Sequence, residues 1–299
     1  MSKFKKKLAL ILLAVICVLL AATAWGCSDD EMSALDNSLQ IIRTNGITMM
    51  DEVLAIYNAG VNPATYPGFN EFLAERAETD STGALAGYVI SVNAAVARGT
   101  NLNTFGYYEA FKNTLLEVVS NPGERFINEY IFAYLALKTA GMTFDETAVR
   151  EHLESLQLAD GGFTFWGDEG DVDATAMAIS ALILMYYAES TTPASLGRAI
   201  TFVRESINDD GTFASWGTVN ANSTAVALSA LIAYYGADNA LVQKAAEGLA
   251  LFELEDGGFS LEKDDGEFNP LATAQAATAL GDLQSGTNVW TALYRASGS

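Results

Sequence analysis

Apolar and polar positions in the second half of the chain alternate between two kinds of helical pattern. Some stretches are apolar almost all round, as in a helix that is packed on every side: residues 174–187, 223–235 and 271–283. The stretches between them are amphipathic. In residues 195–206, Leu196, Ile200 and Val203 recur at spacings of 4 and 3, while charged side chains occupy the other faces. The pattern predicts buried inner helices that alternate along the chain with partly exposed outer helices.

Two sequence marks indicate that this alternation is a true repeat. The tetrapeptide Asp-Gly-x-Phe, with Gly or Thr in third place, occurs at residues 160–163, 210–213 and 256–259, at spacings of 50 and 46. The pair Thr-Ala occurs at residues 175–176, 224–225 and 273–274, at spacings of 49 and 49. Because two separate marks share one period, we expect one helical unit to be repeated along the chain.

Residues suited to cap a helix extend the repeat towards the amino terminus. They precede the apolar stretches at spacings of 48, 43, 49 and 49, as Asp80, Asn128, Asp171, Asn220 and Asn269. Outer helices are then expected near 105–119, 145–157, 194–206 and 239–252, with an opening pair near 34–44 and 48–59. No strand pattern of useful length appears. The prediction is an all-α array of about six helical hairpins.

The repeated positions have a structural interpretation that does not require catalysis. Asp171, Asn220 and Asn269 are equivalent, all three are good N-cap types, and Pro270 suits the first position of a helix. Four residues after each cap, a threonine is expected to return a hydroxyl bond to the cap carbonyl. The glycines mark chain reversals, and the phenylalanines that follow them, Phe163, Phe213 and Phe259, are expected to pack between hairpins.

The first 26 residues have the layout of a secretory signal. Four lysines among the first seven residues precede residues 8–24, which carry no charge. Ala-Trp-Gly-Cys at 24–27 resembles a bacterial lipobox, which predicts lipidation of Cys27, a tether over 27–33 and one domain over 34–299. Cleavage after Ala-Thr-Ala at 22–24 is the alternative. The predicted location is the cell membrane or cell surface, and the alternative implies a secreted or periplasmic protein.

Net charge and cysteine content limit the possible binding partners and disulfide bonds. Removal of the signal leaves 12 basic and 37 acidic residues, a net charge of −25, which excludes nucleic acid as a partner. Cys17 lies in the signal, so the exported chain has one thiol and no intramolecular disulfide. Membrane contact is expected through the lipid anchor alone.

The repeated motifs resemble a known fold family. They comprise the Asp-Gly-x-Phe turns together with residues 171–178, 217–225 and 269–275. They are similar to the α/α toroid of squalene and terpene cyclases, of protein prenyltransferase β subunits and of the transcobalamin α domain, and in particular to bacterial exported relatives of that domain. The resemblance covers residues 80–294 and extends weakly over 34–79. It implies a closed ring of inner helices within a ring of outer helices, with a funnel where the inner helices begin.

The chemistry of these families is incomplete in this chain. Class II terpene cyclases carry an Asp-X-Asp-Asp motif whose middle aspartate donates the proton; Asp171 and Asp173 match it, but Ala174 replaces the last acid. The unpaired N–H groups of a first helical turn favour the anion of an aspartate, which opposes proton donation. The prenyltransferase zinc needs Asp, Cys and His, and here His152, the one histidine, is expected on the surface, with no cysteine after Cys27. We therefore expect neither a metal nor a cofactor, and the balance is against an enzyme.

Two main functions stay open. The first is a binding protein that holds a small molecule, cobalamin-like or apolar, or a protein partner at the funnel, where exposed tryptophans suit a flat ligand. The expected rim residues are Trp166, Asp171, Asp173, Trp216, Asn220 and Asn222. The second is an extracytoplasmic cyclase or lyase that uses Asp173, with Asp171, as acid or base. A purely scaffolding toroid is hard to separate from the first.

Overall fold

The computed structural model describes residues 33–298, and thirteen α-helices account for most of them. In chain order they are α1 (Ala34–Asn45), α2 (Met50–Asn58), α3 (Phe69–Ala77), α4 (Thr82–Ala97), α5 (Tyr108–Ser120), α6 (Ile127–Thr139), α7 (Glu146–Ser155), α8 (Val172–Met185), α9 (Ala194–Glu205), α10 (Ala221–Tyr235), α11 (Ala240–Ala250), α12 (Pro270–Ser285) and α13 (Val289–Ala296). Two short 3₁₀ helices cover Pro63–Thr65 and Leu102–Thr104. Strands β1 (Ala214–Ser215) and β2 (Thr218–Val219) form a small antiparallel hairpin that pairs Ala214 with Val219.

The helices form two concentric rings. The even-numbered helices from α2 to α12 pack side by side in chain order as the inner ring, and α12 closes the ring against α2. The odd-numbered helices from α1 to α11 form the outer ring. This arrangement confirms the predicted all-α toroid of six hairpins. The short helix α13 contacts five inner helices, α2, α4, α6, α8 and α12. Since α13 follows the end of α12 directly, it closes the toroid at the end where the inner helices finish.

Burial separates the two rings as the hydrophobic pattern predicts. In α8, ten of the fourteen residues are buried, because the helix packs against neighbours in its own ring and against the outer ring. In α9, burial is restricted to one face, which includes Leu196, Ile200 and Val203. Alanine-rich inner helices leave space for close approach, so the ring can close without large side chains at every seam.

A hydrogen-bonded connection, here called the threonine lock, joins each Asp-Gly-x-Phe turn to the following inner helix. The hydroxyl of Thr224 donates to the carbonyl of Asn220 at 2.8 Å and accepts from the N–H of Phe213 at 3.0 Å. Thr175 donates to the carbonyl of Asp171 at 2.6 Å and accepts from the N–H of Phe163 at 2.8 Å. Thr273 makes the same two bonds, each at 2.9 Å, with Asn269 and Phe259. The three phenylalanines are fully buried. The predicted threonine bonds and phenylalanine packing are confirmed.

The predicted helix caps are confirmed in the second half of the chain and are wrong in the first half. Side-chain oxygens of Asp171, Asn220 and Asn269 accept from backbone N–H groups three residues on, at 3.0, 2.8 and 2.9 Å, and these caps are confirmed. The caps predicted at Asp80 and Asn128 are wrong: Ser81 caps α4, and α6 begins after Phe126, whose side chain makes no cap bond. The helices α3 and α13 and the β hairpin were not expected.

The predicted signal, Cys27 and nearly all of the tether lie outside the described residues. From Ala34 onward the chain forms one compact unit. Within residues 33–298, no helix combines the length and apolar character needed to cross a membrane.

Candidate functional site

A cavity lies on the axis of the toroid. Its wall is formed by the start of α2 and by the second and third turns of α6, α8, α10 and α12, and its floor by Val289 and Trp290 of α13. The cavity is narrow, with a volume of about 70 Å³, and it opens to solvent. The cavity is therefore the funnel that the repeat implies, closed below by α13.

The upper funnel is more polar than the lower wall. On α8, Asp173, Met177 and Ser180 share one face at spacings of 4 and 3, and the last two line the cavity. Asn222 and Asn128 occupy the matching positions on α10 and α6, one turn above Val226 and Phe132. Each side chain is partly exposed, in helices whose other faces are buried. Three polar side chains thus precede a wall whose larger apolar residues are Met50, Leu54, Phe132, Leu135, Met177 and Val226.

Asp51 contributes a carboxyl group directly to the cavity wall. Its Oδ1 accepts from Nε2 of Gln275 on α12 at 3.1 Å, and both residues line the cavity. Burial raises the pKa of Asp51 above its ordinary value, against the lowering effects of this hydrogen bond and of the more distant Arg76. Lysine and arginine are absent from the lining residues of the cavity among the described part of the chain.

Asp173 is the second unusual acid of the funnel. Burial raises its pKa to about 6; the Ser223 hydroxyl lowers it, the Asp171 carboxylate raises it, and the Ser215 hydroxyl lowers it. The sequence led us to expect that the first helical turn would favour the anion, but the cost of removing the carboxylate from water is larger. Asp173 is therefore able to change its protonation state near neutral pH.

Several oxygen atoms of the funnel-facing side chains lack hydrogen-bond partners. They are Oδ1 of Asn128, Oδ1 of Asp173, Oδ1 of Asn222 and Oε1 of Gln275, each buried from solvent within residues 33–298. Buried polar atoms are normally paired, because an unmade hydrogen bond carries the full cost of desolvation. Four such acceptors lie on four neighbouring inner helices, α6, α8, α10 and α12.

An aromatic cluster stands beside the mouth. The rings of Trp166 and Trp216 stack with centroids 5.1 Å apart, and Phe126 meets Trp166 edge-on at 6.3 Å. Each of these three side chains is more than half exposed. Trp216 lies at the tip of the β hairpin with a φ of 52°, the one positive value for a residue other than glycine in residues 33–298. A non-glycine residue in this backbone region is costly, so the hairpin holds the indole outward at the expense of local strain.

The structure divides the predicted rim residues into three groups. Asp173 and Asn222 face the axis. Asp171 and Asn220 are caps, and the second carboxylate oxygen of Asp171 accepts a hydrogen bond from the Ser215 hydroxyl. Trp166 and Trp216 form the aromatic cluster, and Trp216 with Asp171 lines a separate outer cleft that is open to solvent. None of the six lines the axial cavity, although Asp173 and Asn222 lie one turn above it.

Sequence reasoning missed Asp51, Gln275 and the floor residue Trp290. Asp51, Asn128, Asp173 and Asn222 are each the second residue of an inner helix, but Asp51 is not at the level of the other three. It lines the cavity and bonds to Gln275, the sixth residue of α12, so position within the helix gave no signal for it. His152, expected on the surface, is half-buried and packs edge-on against Tyr130 at 4.7 Å. Over residues 33–298, no group of three or more His, Cys, Asp or Glu side chains could hold a metal ion.

Comparison with known proteins identifies the fold. No family model matches the chain, and no curated protein matches it. Among solved structures, Candida albicans protein geranylgeranyltransferase-I complexed with GGPP has a TM-score of 0.60 at 11% identity, and the match covers 90% of this chain and 99% of that one. Haptocorrin in complex with Cbi has a TM-score of 0.55 at 18% identity, over 86% and 67% of the two chains. A type II terpene cyclase from Scytonema, in complex with geranylgeranyl dihydroxybenzoate, has a TM-score of 0.56 at 11% identity, over 85% and 97%.

These likenesses show the fold. The chain has the α/α toroid of the terpene cyclase and prenyltransferase type, as its motifs led us to expect. At such low identity, neither the ligands nor the reactions of the three proteins transfer with the fold.

Proposed function

We propose that this chain is a binding protein whose axial cavity holds a small molecule with a mainly apolar body. The observation that carries the proposal is the cavity itself: apolar side chains of four inner helices, α2, α6, α8 and α10, converge on it, Trp290 forms its floor, and unpaired polar atoms stand at its entrance. A concave apolar wall with a few converging polar groups is the usual form of a small-molecule site.

The complexes of the structural neighbours support a ligand with an apolar body. The transferase is bound to GGPP and the terpene cyclase to geranylgeranyl dihydroxybenzoate, while haptocorrin is bound to Cbi. For this chain, we propose a ligand or a ligand portion small enough for the narrow axial cavity. A cobalamin-like molecule would engage the mouth and the aromatic cluster of Phe126, Trp166 and Trp216.

A cavity-filling substitution tests this proposal. Val226 lines the cavity, so Val226→Trp should occupy the space that a ligand needs. The matched control is Leu251→Trp, which enlarges an exposed side chain after an outer helix. In native mass spectrometry of the purified protein with geranylgeraniol, we expect a 1:1 adduct that Val226→Trp abolishes and Leu251→Trp retains, whereas an adduct with cobinamide, held at the mouth, should persist in both variants. A geranylgeraniol adduct that is equally strong in both variants would refute the axial location, and no adduct with either probe would refute this ligand class.

We also propose that the protein is exported and anchored to the cell membrane through a lipid on Cys27. The support is the lysine-rich start, the uncharged residues 8–24 and the sequence Ala-Trp-Gly-Cys at 24–27. Labelling of cells with an alkyne analogue of palmitate tests this. We expect the label on the native protein and none on the Cys27→Ser variant, and equal labelling of the two would exclude lipidation at Cys27.

A second function, an extracytoplasmic cyclase, is favoured by one observation. Asp173 combines a pKa raised to about 6 with a buried oxygen that has no partner, and a proton donor needs such an environment. Incubation with geranylgeraniol should then yield an isomer of unchanged mass, and Asp173→Asn should abolish its formation. The absence of any isomer, or undiminished formation by the variant, would remove the enzymatic function.

A further inference from the structure

We propose that the axial site is selective for the cationic head group of an amphiphilic amine, with the ammonium held between Asp51 and Asp173 and the apolar part directed towards Trp290. This inference rests on the proposed function, because it names the chemical class of ligand for the same cavity. It is drawn from three features of the funnel: the unpaired acceptors, the position of the two acids and the absence of lining cations.

The unpaired atoms of the funnel are four acceptors and one hydroxyl, that of Ser223, which can also donate. Carboxylate oxygens and amide carbonyl oxygens accept hydrogen bonds and cannot donate them. Asn128, Asp173, Asn222 and Gln275 each present one such oxygen without a partner. A ligand made of further acceptors would leave them unpaired, whereas a primary ammonium brings three N–H donors. The hydrogen-bonding need of the site therefore matches an amine.

The two carboxyl groups stand on opposite sides of the funnel. Asp51 is on α2 and Asp173 is on α8, and these helices are three places apart in a ring of six. Asp51 lines the cavity and bonds to Gln275, whereas Asp173 stands one turn above the lining residue Met177, so Asp173 lies nearer the mouth than Asp51. A positive group on the axis would face both of them, and an anionic group would be repelled by both.

Burial strengthens this discrimination. The Asp51 carboxyl is bonded to Gln275, and the basic side chain that lowers its pKa, Arg76, belongs to the outer helix α3. Desolvation raises the pKa of both acids, and a bound cation would offset that cost by favouring their anions. The whole chain adds to the effect, since its formal net charge is −21.

The lower funnel suits the apolar part of the same ligand. Phe132 and Trp290 approach with ring centroids 6.1 Å apart, and Met177 and Leu135 complete the wall around them. Below Asp51 there is no acid among the lining residues, and three hydroxyl side chains are the polar groups there. A molecule with a charged end and a short hydrocarbon end would therefore have one orientation in the cavity.

Four probes with the same six-carbon chain separate the contributions. They are hexylammonium, hexyltrimethylammonium, 1-hexanol and hexanoate, titrated into the purified protein while the indole N–H signal of Trp290 is followed by NMR. We expect hexylammonium to bind at least about tenfold more tightly than 1-hexanol, which is about 1.4 kcal/mol, with hexanoate the weakest. Weaker binding of hexyltrimethylammonium than of hexylammonium would support N–H donation to the unpaired oxygens, and equal binding would overturn that part.

Variants of the two acids test whether the preference for a cation arises in the axial site. Asp51→Asn and Asp173→Asn should each lower the preference for hexylammonium over 1-hexanol, and the double variant should reduce it to about twofold or less. The control is the double variant Glu124→Gln with Asp168→Asn, which removes two exposed carboxylates from loops at the mouth and should keep the preference. An equal reduction in the control would show general electrostatic attraction and overturn the axial site.

The outcomes distinguish this inference from the proposed function. Equal binding of hexylammonium, 1-hexanol and hexanoate would overturn cation selectivity and leave the apolar site in place. No change at Trp290 with any of the probes would overturn both. If an aspartate variant does not fold, as judged by its circular dichroism, the probe series on the native protein still decides the charge preference.

Discussion

The two halves of the toroid build the same hairpins with different connections. Between residues 160 and 285, all three inner helices begin with an Asp or Asn cap and are joined to the preceding turn by the threonine lock. Between residues 34 and 140, each inner helix begins in its own way. Glu52 accepts from the backbone of Thr48 and Met49 at the start of α2, Ser81 caps α4, and α6 has no side-chain cap.

The difference shows that the rings are specified by burial more than by their connections. The inner helices of both halves are buried nearly all round, and the closing contact between α12 and α2 joins one half to the other. The threonine lock, which is repeated three times, therefore acts as an additional constraint on the structure of the second half. If so, substitutions in the turns should cost more in the second half than equivalent substitutions in the first.

The largest expected difference concerns two glycines with the same backbone conformation. Gly211, in the second turn motif, has a φ of 86°, and a Cβ there would lie 2.0 Å from the carbonyl oxygen of Lys244. Gly99, after α4, has a φ of 94°, with no atom within 4 Å of a Cβ. Gly211→Ala should lower the free energy of unfolding by about 4 kcal/mol, from backbone strain and overpacking, and Gly99→Ala by about 1–2 kcal/mol, from strain alone.

Urea denaturation of both variants measures the two losses in the free energy of unfolding. The comparison isolates packing, because the cost of the positive φ is common to the two positions. Equal losses would mean that the turn of the second half is no more constrained than the loop of the first.

The seam between the halves gives the next largest effect. Asp282 of α12 is fully buried and accepts from Nδ2 of Asn58 on α2 at 2.7 Å, and burial raises its pKa to about 8. The unfolded chain releases this proton near pH 3.8 and the folded chain only near pH 8, so stability falls as pH rises between these values. The slope is about 1.4 kcal/mol per pH unit, or about 3 kcal/mol from pH 5 to pH 7.

Replacement of the titrating group tests this seam. Asp282→Asn cannot ionise, so its stability relative to the native protein should improve by about 3 kcal/mol between pH 5 and pH 7 in urea titrations. Asp173→Asn serves as the comparison, since a pKa raised to about 6 gives a smaller improvement that ends above that pH. A stability difference for Asp282→Asn that stays constant with pH would contradict the raised pKa.

The threonine lock should show a smaller loss. Thr224→Val removes the hydroxyl and leaves the buried N–H of Phe213 without an acceptor, which should cost about 2 kcal/mol of unfolding free energy. Thr114 of α5 is the matched position in the first half. Its hydroxyl donates to the carbonyl of Ala110 at 3.2 Å on an exposed face and serves no second group. We expect Thr114→Val to change stability by less than about 0.5 kcal/mol, and a similar loss at both positions would remove the lock as an explanation.

This contrast also explains what the sequence could predict. In the second half, the repeat period, the helix caps and the threonine bonds could be predicted from the sequence, because one local arrangement recurs three times. In the first half the inner helices were recognisable from their apolar character, but their starts were not, and Ser81 and Phe126 replaced the expected Asp80 and Asn128. The helix α3 was missed because residues 69–77 show no repeat mark and little apolar periodicity.

The candidate site was less accessible to sequence reasoning for a geometrical reason. Its residues come from five inner helices and from α13, and the pairing of Asp51 with Gln275 joins positions 224 apart in the chain. Only ring closure brings these two side chains together. The raised pKa of Asp173 likewise depends on the burial that neighbouring helices create, whereas its position in the first turn of α8 indicated the opposite shift.

The smallest effect is expected when a side-chain helix cap, which the second half has at each inner helix, is introduced into the first half. Phe126 precedes α6 in an extended conformation, with φ −64° and ψ 141°, which is the geometry of a capping residue, but its side chain cannot accept a hydrogen bond. Phe126→Ser supplies an oxygen at this point, and Phe126→Ala removes the same ring without supplying one. Both variants lose the edge contact with Trp166, so their difference isolates the cap. We expect the Ser variant to be more stable than the Ala variant by about 0.5–1 kcal/mol in urea denaturation. Equal stability would show that the packing of the first half already fixes the start of α6, and that a cap becomes useful only where a turn must be held to its helix.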